Sequence, residues 1–338
     1  MAKKRSSKKS RQNQQKLIGI ILGLIVLAGA AFFGVETGVI GGGNSASSLV
    51  PLVSDEHAFS MHVIDIGQGD AILLSKDGKY ALVDAGETMS PSERESRDAI
   101  YAYLDSLNVT TLDFMLLTHQ DYDHIGSAKD VLTKYTVKTV YDNGVEHTSA
   151  TYEKLMAYIL EKDIGYEVVR AGDTVASPWD GVKIDVLSPP QELIMSGKNP
   201  DINENSIVLK ITYGNVTYIL TGDAEKDAEE YILSTGANID ADILKSGHHA
   251  SVTSSTQGFL NKVTPDVIVI SVGAGNSYGH PHLETISRYA KITQNVYRTD
   301  TDGDVVVTTD GNKYSVVTRK THDISKIFIA GNGEKVAA

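Results

Sequence analysis

Residues 17–35, LIGIILGLIVLAGAAFFGV, run for nineteen positions without a charge. At a rise of roughly 1.5 Å per residue such a helix is about 28 Å long, close to a hydrocarbon core of ~30 Å. The preceding sixteen residues hold seven Lys or Arg and no acid. The positive-inside rule therefore predicts a cytoplasmic tail (1–16), a transmembrane anchor or signal peptide (17–36) and an extracytoplasmic remainder. Ala28-Gly29-Ala30 offers a signal-peptidase site, in which case the remainder is secreted. Residues 37–57 are rich in Gly and Ser and read as a linker.

From about residue 58 the pattern becomes that of a packed domain. Alternation over 59–66 and short apolar runs at 71–74 and 80–84 predict strands joined by tight turns. Ile100, Leu104 and Leu107 share one face of a helix over 93–107. The unbroken run LDFMLLT (112–118) predicts a strand covered on both faces. Helices are expected over 127–135, 151–163, 224–235 and 283–292. Strands are expected in VKTVYD, YEVVR, VKIDVLS, SIVLKITY, VTYILTG, ADILKSG and PDVIVISVG. GDVVVTTDGNKYSVVT reads as a hairpin about an Asp-Gly turn. Two batches of strands mixed with helices predict a two-sheet α/β sandwich with helices outside, spanning 58–320. Residues 321–338 are expected to be a frayed tail.

Composition removes several chemistries. The chain has no cysteine, so disulfides, thiolate metal sites and a cysteine nucleophile are excluded. The formal net charge of −12 conceals a contrast: beyond residue 16, 24 basic side chains face 43 acidic ones, a balance of −19. Such a body lacks the Lys and Arg excess of a non-specific duplex-DNA binder.

The chemistry concentrates in a few places. His119-Gln120-Asp121-Tyr122-Asp123-His124 places four potential metal ligands directly after an apolar strand. Imidazole with carboxylate suits a divalent cation such as Zn²⁺ or Mn²⁺. Four ligands in so short a loop crowd a single ion but can serve two, His119 and Asp121 facing one and Asp123 and His124 the other. Asp223 closes another apolar strand, YILTGD, where a carboxylate can bridge two cations. His248 and His249 follow ADILKSG, with one expected to be a ligand and the other to lie behind it. Asp70, in the turn GQGD, can approach the same place.

These stretches carry a resemblance. VDAG (83–86), THQDYDHIG, LTGD and LKSGHHASVTSS resemble motifs of the metallo-β-lactamase superfamily. HVIDIGQGDAILL, NENSIVLKITYG, the HHxS stretch ending at Ser251, NSYGHP and YRTDTDGDV are similar to the extracellular metal-dependent domain of ComEC-type DNA-uptake (competence) proteins. The resemblance implies a metallo-β-lactamase-like αββα four-layer sandwich holding two divalent ions, Zn²⁺ or Mn²⁺, and an attack by hydroxide on a phosphodiester. It implies metal ligation by His119, Asp121, Asp123, His124, Asp223 and His248 or His249. Asp84 would brace the ligand loop, and Asp123 or Asp223 would orient the attacking water. His280 would act as proton donor or phosphate contact, with Ser251 and Asp300 around the cleft. The superfamily usually has a histidine ligand between its second motif and the bridging Asp. Here His147 alone intervenes, out of context, and Asn205 stands nearer the expected spot.

Three functions follow as expectations. One is a membrane-anchored extracytoplasmic phosphodiesterase or nuclease acting on single-stranded DNA beside a separate uptake channel. Another is a hydrolase of a small or surface-polymer phosphodiester, resembling phosphocholine esterases. The third is a non-catalytic metal-binding surface module.

Overall fold

A computed structural model of the protein describes residues 57–87 and 94–336. The expected cytoplasmic tail, anchor and nearly all of the linker lie outside the described residues. Among the described residues no helix is long and apolar enough to cross a membrane.

Two sheets pack face to face. The first has eight strands in the order Tyr314–Thr318, Val305–Thr309, Phe59–Val63, Ile72–Lys76, Lys79–Val83, Phe114–Leu116, Thr139–Asp142 and Gly165–Val168. It is antiparallel up to Lys79–Val83 and parallel from there to Gly165–Val168. The second has six strands in the order Val296–Arg298, Val267–Ile270, Ile243–Lys245, Val216–Leu220, Val208–Tyr213 and Val182–Ser188. Its first four strands are parallel and the last two pair antiparallel. Asp77 and Gly78, both at positive φ (52° and 71°), form the two-residue hairpin turn between Ile72–Lys76 and Lys79–Val83.

Strand alternation divides the apolar side chains into layers. Met61, Leu74, Val83 and Leu116 of the first sheet meet Val186, Leu209, Leu220 and Val269 of the second in the central core. Leu73, Leu82, Met115 and Val140 face outward, beneath helices Arg94–Ser106, Ala128–Lys134 and Ala150–Glu161. Ile219, Leu244 and Ile268 face the other way, beneath Lys226–Ser234, Gln257–Val263 and Leu283–Tyr289. This is the four-layer αββα sandwich. The parallel strands are unbroken apolar runs because both of their faces are covered.

The expected tail is a different matter. Ile327 and Ala330 are each 4% exposed and join the core under the second sheet. Gly331 donates its amide to Pro281 O, and a Cβ at Gly331 would fall 2.4 Å from His280 O. The packed unit therefore runs past residue 320. The segment is built of turns, so it has no period by which its burial is announced.

Candidate metal centre

Parallel strands deliver their C-terminal ends to one edge, so the residues that follow them meet although they are distant in sequence. Lys79–Val83 delivers Asp84, and Phe114–Leu116 delivers the His119–His124 loop. Val216–Leu220 delivers Asp223, and Ile243–Lys245 delivers His248 and His249. Two glycines allow the loops to close up. A Cβ at Gly69 would sit 2.2 Å from Asp123 O, and one at Gly222 would sit 2.8 Å from Thr118 Cβ. Asp84, His248, His249 and Ala250 all hold positive φ (58°, 44°, 51° and 64°) without being glycine. Backbone strain of this kind gathers where side chains must be aimed.

Four imidazoles are anchored in the same manner. His119 Nδ1 lies 3.1 Å from Thr118 Oγ1, and His124 Nδ1 lies 2.9 Å from Asp84 Oδ2. His248 Nδ1 is 2.7 Å from Glu225 Oε1, and His249 Nδ1 donates to Ser271 O at 2.9 Å. Each ring therefore turns Nε2 toward Asp223. His124 Nε2 is 3.2 Å from Asp223 Oδ1, while His248, His249 and His119 stand 3.5, 3.6 and 4.0 Å from Oδ2. Asp123 Oδ2 is 3.2 Å from His249 Nε2, and Asp121 Oδ2 is 3.7 Å from His119 Nε2.

This donor set fits divalent cations. His119 Nε2, His124 Nε2, His249 Nε2 and Asp223 Oδ1 are buried and have no hydrogen-bond partner. Leaving such atoms unsatisfied is costly unless something else occupies them. Ligands each about 2.1 Å from a tetrahedral ion stand about 3.4 Å apart, near the separations observed here. Asp123, His124, Asp223 and His249 offer ligand atoms within 4.8 Å of one another. His119 and His248 also stand beside Asp223 Oδ2, and Asp121 stands beside His119.

The electrostatics agree. Burial, helped by His124, pushes His119 down to about 3. At His124 burial opposes the charged form, but the carboxylates of Asp223, Asp84 and Asp123 outweigh it and raise the imidazole well above its ordinary value. Asp223 is held far below the carboxylate range because His124, His249 and His248 overcome its burial. The pocket thus binds positive charge strongly, and a metal entering it would displace protons.

The metallo-beta-lactamase superfamily profile matches residues 64–273, more than half of the chain. The chain belongs to the metallo-beta-lactamase superfamily. It is 31% identical over 272 residues to ComE operon protein 3 of Bacillus subtilis, covering 76% of this chain and 34% of that protein. It is 29% identical over 254 residues to competence protein ComA of Neisseria gonorrhoeae, covering 75% and 33%. The chain thus spans about a third of the length of these curated relatives. Among solved structures, the metallo-beta-lactamase fold protein YhfI of Bacillus subtilis aligns with 74% of this chain and 100% of its own, at 14% identity and a TM-score of 0.47. Membership of the superfamily, with this donor set, supports a metal-dependent hydrolase role.

The superfamily's bracing Asp is Asp84. It accepts from Thr118 N (2.8 Å) and Thr118 Oγ1 (2.7 Å) as well as holding His124, so one carboxylate fixes two ligand-bearing positions. The expectation that either His248 or His249 lies behind the other does not match the geometry: both Nε2 atoms reach toward Asp223, because three consecutive left-handed residues swing the rings to the same side. Asn205 is no ligand. Its amide is spent on Ile194 N, Ile194 O and Asp201 O, so it braces a loop. Asp300 is likewise occupied, forming a two-pronged ion pair with Arg298 (3.0 and 2.7 Å). Ser251 Oγ bonds Thr253 Oγ1, which donates to Glu225, and so supports His248 at one remove. His147 bonds Ser149, stands against Tyr152 and acts electrostatically on Asp121, favouring its ionised form. His280 does reach the site: its ring centroid is 5.4 Å from that of His248 and 6.2 Å from that of His249. Burial and these neighbours push it down to about 3, so it is a neutral ring rather than an imidazolium acid.

Two contributors escaped sequence reasoning. Glu225, two residues past Asp223, orients His248. Lys245, 0% exposed, pairs with Asp70 Oδ2 at 2.7 Å, while Asp70 Oδ1 faces His249 Nδ1 at 3.6 Å.

Behind the ligand loop Gln120 bonds Asn143, and the adjacent Asp142 is 1% exposed. Burial raises the Asp142 carboxyl to about 6, only partly offset by the Gly144 amide and Tyr166. The folded state therefore keeps a proton that the unfolded chain releases nearer pH 4. The resulting stabilisation is complete below that value and is lost as pH rises to about 6. Asp142→Asn is expected to flatten this slope and to add up to about 3 kcal/mol at pH 7. Urea unfolding between pH 4 and 8 measures it, and an unchanged slope in the variant refutes the assignment.

Proposed function

We propose that the protein is a membrane-anchored, extracytoplasmic phosphodiesterase that cleaves single-stranded DNA. The observation that carries this reading is the convergence of four Nε2 atoms on Asp223 in a chain whose curated relatives are competence proteins. Divalent cations held by His119, Asp121, Asp123, His124, Asp223, His248 and His249 would supply a hydroxide at neutral pH and neutralise charge building on the phosphoryl group. Mn²⁺ and Zn²⁺ both suit this mixture of donors.

The protein's own groups do the positioning. Asp84 and Glu225 hold His124 and His248 in the tautomers that present Nε2. Asp123, at the less buried side of the pocket, is placed to accept a proton from an attacking water. His280, whose ring stands beside those of His248 and His249, is placed to donate a ring N–H to a phosphoryl oxygen. Residues 17–35 would anchor the domain outside the cell, and a separate channel protein would carry the undegraded strand.

A second reading rests on the acidic body. A balance of −19 after residue 16 repels a polyanion, which favours a small or surface-polymer phosphodiester. One assay separates the two. The protein is incubated with a single-stranded oligonucleotide and with bis-p-nitrophenyl phosphate, each with Mn²⁺, Zn²⁺ or chelator. Metal-dependent cleavage of the oligonucleotide is the expected result. Turnover of the small ester alone favours the second reading, and silence with every metal refutes both.

A further inference from the structure

Tyr278 is the one aromatic side chain among the large apolar residues exposed on the described surface, at 61%. Its ring is stacked on His280, 5.6 Å between centroids and 21° between planes. His280 in turn touches the rings of His248 and His249, so Tyr278 stands one ring away from the metal-facing imidazoles. The position is held in place. Asn276 Oδ1 accepts from Tyr278 N (3.1 Å) and His280 N (3.0 Å), and its amide donates to Gly273 O (2.9 Å) and His280 O (2.7 Å). A single buried-side amide therefore fixes the whole turn. One face of the phenol ring lies on His280, and the side chain as a whole is largely exposed. Val252, 44% exposed, adds apolar surface nearby, its amide bonded to His282 Nδ1 while the His282 ring stands against His280.

The charges of the same region make an aromatic contact more important. Three basic side chains near the site are already engaged. Lys245 pairs with Asp70, and Arg298 pairs with Asp300 and bonds the carbonyls of Lys326 and Ile329. Arg288 bonds the carbonyls of Val252, Ser254 and Ser255. None of the three is spare for a phosphate backbone. A strand bound here gains little from these three, which gives the metals and contacts of other kinds a larger share in holding it. Base stacking on aromatic rings is such a contact, tolerant of sequence and worth roughly one to two orders of magnitude per base.

We propose that Tyr278 is the stacking platform for a nucleobase adjoining the scissile phosphate, so that the enzyme selects base-bearing single strands over other phosphodiesters. This rests on the phosphodiesterase reading above and names its substrate class. Affinity should then depend only weakly on salt, since few phosphate-bound counterions are released by free Lys or Arg.

The test compares a dodecathymidylate with a chain of equal length built from abasic residues, using the full-length protein with Mn²⁺. Wild type is expected to favour the base-bearing chain by about tenfold in kcat/KM. Tyr278→Ala should raise KM for that chain by about tenfold with little change in kcat, and should erase the preference. Tyr278→Phe should retain it, which separates stacking from any task of the hydroxyl. Anisotropy of a labelled dodecathymidylate should report the same weakening as binding. Cleavage of both chains with an undiminished preference in Tyr278→Ala overturns the stacking proposal and leaves the phosphodiesterase reading standing. Cleavage of neither chain by wild type overturns both.

Discussion

Asp223→Ala is expected to lower phosphodiester hydrolysis by at least about a thousandfold, a change of about 4 kcal/mol in the barrier. Four imidazole Nε2 atoms lie between 3.2 and 4.0 Å from its carboxylate. Among the described residues no other carboxylate lies within 4.0 Å of all four rings. Its loss removes the group shared by both halves of the donor set, so metal content should fall together with rate. Asp223→Asn keeps the shape but not the charge, turns one acceptor oxygen into a donor, and should lose metal nearly as completely. Elemental analysis after gel filtration, alongside rates on bis-p-nitrophenyl phosphate, decides the matter. A variant that retains its metal and loses less than tenfold in rate would sink the assignment of Asp223 as the centre of the site.

Lys245→Met should be the most destabilising of the conservative substitutions near the site. Lys245 and Asp70 are both about 1% exposed, and their ion pair lies within the wall that supports His249. Removing one partner leaves the other as an uncompensated buried charge, a loss of about 3–5 kcal/mol. Removing both is much gentler, because two apolar side chains of similar volume can occupy the space. Urea unfolding should therefore show Lys245→Met far less stable than wild type, and Asp70→Leu/Lys245→Met partly restored. Equal stability of single and double variants would mean that the pair does not act as a unit.

Much of the architecture was legible because burial on both faces leaves a plain mark. LDFMLLT read as a covered strand and PDVIVISVG and ADILKSG as strands, and these are among the parallel ones whose ends build the site. Asp84, Asp123, His124 and Asp223 were legible for the same reason: each lies in the segment that follows such a run. Lys245 was hidden because it sits inside one, where a single charge in ADILKS reads as an ordinary strand residue. The aim of His248 and His249 was hidden because it depends on three successive left-handed residues, and no side-chain type among them demands that conformation. The bracing task of Asn205 was hidden because sequence gives proximity in the chain but not what an amide is already bonded to. Helices Gln257–Val263 and Thr299–Asp302 are too short to display a period.

The fold-back that ends on Gly331 has a practical consequence for anyone cutting the gene. A fragment trimmed after the last strand, at Thr318, would look complete by every sequence motif and would retain every metal-facing residue. It would nonetheless lack the floor on which the His280 turn rests and would bare the apolar seat that Ile327 and Ala330 fill. Such a fragment could bind its ions and still handle its substrate poorly, a failure easily mistaken for the wrong choice of substrate.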